Sequence, residues 1–165
     1  MENVIDGNDW RIDTTKDLNK IGITVFNPYF KPFINEIKED EAARAELKVW
    51  MEKGDFHRVH KRMKQVRADD LRLCDISDFF VAYIDPKLAS WGSAEEIYTA
   101  NRMKKPLFIV INGGKRKAPL WLMGMIPDHY FYDSLEDALE MIYRIDHSDV
   151  KIDSDRWRLL KEEYR

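Results

Sequence analysis

Three short apolar runs interrupt an otherwise polar chain. Ile21-Gly22-Ile23-Thr24-Val25-Phe26 stops at Asn27-Pro28, Phe79-Phe80-Val81-Ala82-Tyr83-Ile84 stops at Asp85-Pro86, and Leu107-Phe108-Ile109-Val110-Ile111 stops at Asn112-Gly113-Gly114. The last two are continuous rather than alternating, the pattern of strands covered on both faces of a parallel sheet. Each run ends in turn-forming residues, as strands do. Between and after them lie helical patterns. Glu39 to Lys53 is rich in Ala, Glu, Leu and Lys and has no Pro, which favours a helix. Phe56 to Cys74 sets Val59, Met63, Val66, Leu71 and Cys74 in an imperfect amphipathic stripe. Ser93 to Lys104 and Ser134 to Arg144 follow, the latter opening on Ser-Leu-Glu-Asp, an N-cap with early acids. A last short helix of mixed charge is expected from about Ser154 to Tyr164. Strands alternating with helices predict βαβ units and a three-layer α/β sandwich around a mostly parallel, flavodoxin-like or Rossmann-like sheet. The expected organisation is one α/β domain over 1–146 with a charged helical tail over 147–165.

Composition narrows the classes. With 165 residues, 44% hydrophobic and 12% aromatic, the chain suffices for one ordinary domain with a proper core. Its 27 basic and 30 acidic side chains leave a formal charge of −3, which argues against a general binder of nucleic-acid polymers. The run His57-Arg58-Val59-His60-Lys61-Arg62 reads as a solvated helix face, and Lys115-Arg116-Lys117 falls in the loop after the third apolar run. The single cysteine, Cys74, allows no internal disulfide and no Cys-based zinc site, and its setting is that of a buried thiol. No apolar run approaches the roughly 18–20 residues that span a bilayer, so no membrane partner is expected. Met1-Glu2-Asn3-Val4-Ile5-Asp6 has neither a basic nor an apolar leader region, and a cytoplasmic, reduced setting is expected.

Open α/β sheets bind ligands outside the carboxyl ends of their strands, which directs attention to Asn27-Pro28-Tyr29, to Asp85 through Ser93, and to Asn112-Gly113-Gly114. The second segment leads from a buried strand through Ser90-Trp91-Gly92 into a helix. Ser93 with Glu96 three residues on forms a capping box, a purely structural use of the glutamate. The same placement puts a carboxylate in the first helical turn, where the helix dipole favours its ionised, nucleophilic form. Glu95 points about 100° away around the helix, so one of the two acids faces the loop.

Gly92-Ser93-Ala94-Glu95-Glu96-Ile97, then Ala100, then Lys105-Pro106 and an apolar strand, resembles the signature of the nucleoside 2-deoxyribosyltransferases. In that family the nucleophilic Glu falls on Glu96. The family also carries an Asp eight residues before the Asp that opens the second strand, matched here by Asp70 and Asp78. The resemblance therefore implies that Asp70 protonates the leaving base, with Asp69 beside it as a control. Downstream, Pro119-Leu120-Trp121-Leu122-Met123 matches a stretch that lines a neighbouring subunit's pocket, and implies a homodimer or larger homo-oligomer. Taken without the resemblance, Trp121 and Met123 would be core residues. The chain departs from the pattern in four places. Lys104 replaces a Gly, Trp121 replaces the Asn that binds the sugar 5′-hydroxyl, and Ser90 replaces an Asp that contacts the base, a role Asp85 could take from the strand end. Met1 to Gly7 looks like the loop after the family's first strand, so that strand is missing, truncated or replaced.

The resemblance implies transfer of 2-deoxyribose between nucleobases through a covalent glycosyl-Glu96 intermediate, as in nucleotide salvage. Asp85, Ser90, Gly92, Ser93, Trp121 and Met123 would bind substrate, with a nucleoside or nucleotide and a free nucleobase as partners. No cofactor is expected, and His57, His60, His129 and His147 show no metal-ligand set with the acids. Two other readings stay open. A hydrolase of the same superfamily would cleave nucleoside 5′-monophosphates, with Ser90 and Ser93 holding the phosphate at a helix start. A non-catalytic nucleotide-binding protein would keep the fold without turnover, with Trp50, Trp91, Trp121 and Trp157 as surface candidates.

Overall fold

The computed structural model describes residues 9–28, 41–88, 90–150 and 156–157. Among them are six α-helices and a three-stranded parallel sheet, a mixed α/β architecture consistent with an α/β sandwich. The helices are α1 (Asp9–Lys20), α2 (Glu41–Glu52), α3 (Phe56–Ile76), α4 (Trp91–Arg102), α5 (Leu120–Met125) and α6 (Leu135–Asp146). The strands are β1 (Phe80–Ile84), β2 (Leu107–Ile111) and β3 (Phe131–Tyr132), in the order β1-β2-β3. The chain divides into two compact units, Met1–Leu73 and Cys74–Arg165, with the boundary inside α3.

The second unit contains the sheet. Leu107 to Ile111 is buried at every position, as a continuous apolar run requires of a central strand. β1, at the sheet's edge, buries only Ala82. β1 pairs with β2 from Phe80↔Leu107 to Ile84↔Ile111, and β2 pairs with β3 at Ile109↔Phe131 and Val110↔Tyr132. Strand side chains alternate between faces. Ala82, Leu107, Ile109, Ile111 and Phe131 pack with Ile97 and Ala100 of α4, and Leu122 and Met125 of α5 close over the same cluster. On the other face Phe108 stacks on Tyr132 at 5.7 Å and meets Trp157 edge-on at 5.9 Å. α6 buries Ala138 and Ile142 and begins at the expected N-cap, Ser134, whose hydroxyl accepts the Asp137 N–H at 3.1 Å. Each fully buried aliphatic side chain of this core contributes about 1.5–3 kcal/mol relative to exposure.

In the first unit, α2 and α3 meet the expected spans closely. Asp55 starts α3: its Oδ1 accepts the Arg58 N–H at 3.2 Å, and the Arg58 guanidinium lies 5.2 Å from the Trp50 ring centre. The expected strand over Ile21 to Phe26 does not form. It is preceded by α1, whose Leu18 carbonyl accepts from the Ile23 N–H at 3.1 Å and whose Asn19 carbonyl accepts from Gly22 at 3.1 Å. Gly22, at φ +81°, supplies the left-handed residue of this helix stop. The cap consumes the start of the apolar run, and a bridge at Asn27 is all the ladder that remains. Cys74 is buried, as expected. No described helix is long and apolar enough to cross a membrane. The N-terminal segment Met1 to Gly7 and most of the expected helix over 154–164 lie outside the described residues; Arg156 and Trp157, which are described, are not helical.

Candidate functional site

The carboxyl ends of β1 and β2 are tied together. The Asn112 N–H donates to the Ile84 carbonyl at 2.8 Å, and the Asn112 side-chain amide donates to Asp85 Oδ2 at 3.1 Å. Asp85 Oδ1 accepts the Lys87 N–H at 2.9 Å, a local turn that follows from Asp-Pro after a strand. The Asp85 carboxylate is thus held half-buried at the strand edge. Next to it, burial first, and then the carboxylates of Asp85 and Glu136, push the Tyr83 phenol above its ordinary 10.0. Asn112 as the partner of Asp85, and Glu136 as a neighbour of Tyr83, were not singled out by sequence, because both relations join residues far apart in the chain.

The helix after β1 starts earlier than the sequence reading placed it. Ser90, not Ser93, is the N-cap of α4, and Trp91 and Gly92 are already helical. Ser93 is therefore the third helical residue, and the Ser93–Glu96 capping box does not form. Ser90 Oγ donates instead to Ser93 Oγ at 2.8 Å, and the cap makes no side-chain bond to the backbone. Glu96 falls in the second turn, so the help it draws from the helix dipole is less than a first-turn position would give.

Helical geometry separates the two acids. At about 100° per residue, Ser93, Ile97 and Ala100 form the row that faces the sheet, and Ile97 and Ala100 are buried there. Glu96 borders this row, three residues after Ser93 and four before Ala100. Glu95 belongs to the outer row with Trp91, Tyr98 and Arg102. Trp91 is 85% exposed, and the Arg102 guanidinium lies 5.9 Å from the Tyr98 ring centre. Both carboxylates are half-buried, so it is the row, not the degree of burial, that distinguishes them.

The far end of α4 is closed by an unusual residue. The Lys104 N–H bonds to the Asn101 carbonyl and the Lys105 N–H to the Ala100 carbonyl, each at 3.0 Å, with Lys104 at φ +58°. This is the left-handed helix stop that ordinarily takes glycine. Lys105 then turns its ammonium onto the end of α3, donating to the carbonyls of Cys74 (2.5 Å), Asp75 (2.7 Å) and Ser77. Burial lowers its pKa, against the opposing pull of Asp75, Cys74 and Asp78.

Apart from Gly92, the remaining expected site residues lie on other elements. Asp70 is half-buried on α3 in the first unit, beside half-buried Asp69. Trp121 and Met123 lie on α5 but are 81% and 37% exposed, so the reading of them as core residues is corrected. In so short a helix the inward positions fall to Leu122 and Met125. Gly92 is exposed, and nothing lies within 4 Å of where its Cβ would be. His57, His60, His129 and His147 are exposed. No protein-family model matches the chain, and no curated protein matches it.

Proposed function

We propose that the chain transfers a 2-deoxyribosyl group between nucleobases, with Glu96 as nucleophile. The observation that carries this reading is the placement of Glu96 alongside the sheet-facing row of α4, the helix that follows β1 in the chain. A further support is Lys104, where the family pattern has Gly and where this backbone takes the conformation glycine favours. The finer fold expectation, a flavodoxin-like or Rossmann-like sheet, belongs to the same proposal.

In this reaction a Glu96 oxygen bonds to C1′ as the C1′–N bond breaks, and its electron pair goes to the base nitrogen. The transition state is oxocarbenium-like, as in retaining glycoside hydrolysis. The leaving base takes up a proton as it departs, and general-acid assistance at this step is typically worth about 10²–10⁴-fold. A second base then attacks C1′ from the vacated side and releases Glu96; water in its place gives hydrolysis. Asp85, Ser90, Gly92 and Ser93 are the proposed substrate contacts within this unit. Trp121 and Met123 are the proposed contribution to a neighbouring copy.

The test compares base exchange in Glu96→Ala and Glu95→Ala. Glu96→Ala abolishes exchange and Glu95→Ala keeps most of it; equal loss or equal survival refutes the assignment. Asp70→Asn against Asp69→Asn tests, in the same assay, the role that the resemblance implies for Asp70.

A further inference from the structure

An asparagine side-chain amide reacts most readily with the next backbone nitrogen when that nitrogen belongs to glycine, because no Cβ shields it. The chain has seven asparagines, and Asn112 alone precedes a glycine. The pair stands at the centre of the turn that follows β2. The Gly114 N–H donates to the Ile111 carbonyl at 2.9 Å, and Gly113 takes φ +81° at the third position, where such turns take glycine.

Three features of the turn bear on that reaction. Gly113 is exposed, and among the described residues its N–H donates no hydrogen bond, so the nitrogen is open to water and base. Lys117 folds over the same glycine: a Cβ built on Gly113 would lie 2.5 Å from Lys117 Nζ. An ammonium held there favours the anionic form of the adjacent amide, the form that attacks. Against these two stands the clasp at the strand ends. Asn112 Nδ2 donates to Asp85 Oδ2 at 3.1 Å, which holds the amide until that bond opens.

We propose that Asn112 is a self-modification site, converted through a cyclic imide with Gly113 to aspartate or isoaspartate. The Gly113 nitrogen bonds to Asn112 Cγ and the Cγ–Nδ2 bond breaks. Nδ2 departs as ammonia, carrying the proton that the Gly113 nitrogen loses. Water then reopens the ring, giving aspartate by attack at the side-chain carbonyl and isoaspartate by attack at the backbone carbonyl. The net change is a water taken up and an ammonia released, with no oxidant or reductant. The product lacks the donor that clasps Asp85 and sets a second carboxylate against the first, so the ends of β1 and β2 repel where they were bonded. Isoaspartate also adds a methylene to the main chain of the turn. The conversion therefore acts as a clock on the clasp between the strand ends, whatever ligand that edge takes.

The experiment is incubation of the full chain at a rising series of pH values. Peptide mass spectrometry reads the exchange of NH for O at each asparagine, and enzymatic methylation reads isoaspartate. Asn112 converts faster than any of the other asparagines, its rate rises with pH, and isoaspartate appears at that position. Lys117→Ala, a surface change, slows the conversion about fivefold, the effect of removing a unit charge a few Å away in water. Asp85→Ala, which frees the amide, speeds it. Conversion at Asn112 no faster than at the other asparagines overturns the proposal, as does a product there without isoaspartate. An unchanged rate in Lys117→Ala overturns the part given to the ammonium, and an unchanged or slower rate in Asp85→Ala the part given to the clasp.

Discussion

Lys104→Gly should stabilise the protein. Lys104 stops α4 at φ +58°, and an L-residue in the left-handed region costs roughly 1–2 kcal/mol through contact of Cβ with its own carbonyl. Glycine avoids that contact but brings roughly 0.5–1 kcal/mol of extra freedom to the unfolded chain. The side chain itself is exposed and forms no ion pair among the described residues, so its removal deletes no contact. The balance is a gain of about 0.5–1 kcal/mol, and since 1 kcal/mol moves the midpoint of a domain this size by about 2–4 °C, a rise of roughly 1–4 °C follows. Urea denaturation followed by circular dichroism, together with a thermal melt, reads it directly. Lys104→Val, with a branched Cβ at the same φ, moves the midpoint the other way. A loss of stability in the glycine variant, or a gain in both, refutes the assigned helix stop.

Arg156→Met should destabilise the second unit by about 2–4 kcal/mol, because a buried guanidinium that donates to Asn101 Oδ1 at 2.7 Å and to the Lys105 carbonyl at 3.2 Å leaves both acceptors unsatisfied when it goes. Chemical denaturation checks this, and a change within error contradicts it. Tyr132 is pushed up to about 12, by burial first and by Tyr130 second. Because its folded value exceeds the unfolded one, stability falls as pH rises from 10.0 towards about 12. An absorbance titration of the phenolates should show an ionisation at about 12 that Tyr132→Phe removes; its persistence in that variant would assign it elsewhere.

The parts of the fold that could be read from the chain are those where one local signal had no rival. β2 is a continuous apolar run closed by Asn-Gly-Gly, and Ser134 is followed within one helical turn by two acids, so both appear where expected. α1 escaped notice because three aspartates and two threonines blur its stripe, and one of its buried positions is the polar Thr14. β3 is only two residues long and gains its identity by pairing with β2, a relation no local pattern carries. At α4 two serines competed for the cap, and Gly92, a poor helix former, favoured Ser93 over Ser90. The same limits apply to the site. Glu96 announces itself through its neighbours in the chain, whereas the Asn112–Asp85 bond spans 27 residues and needed the sheet to form. The Lys115–Lys117 turn was visible as charge, but its return over Gly113 depends on two positive φ angles that composition does not specify.

The central claim is a covalent bond between the sugar and Glu96. Incubation with a 2′-fluoro deoxynucleoside analogue, which slows release of the glycosyl enzyme, followed by intact-protein and peptide mass spectrometry, tests it most directly. The protein should gain the mass of one fluorosugar without its base, and fragmentation should place it on Glu96. An adduct on Glu95 or elsewhere, or an unmodified protein that still exchanges bases, would contradict the account.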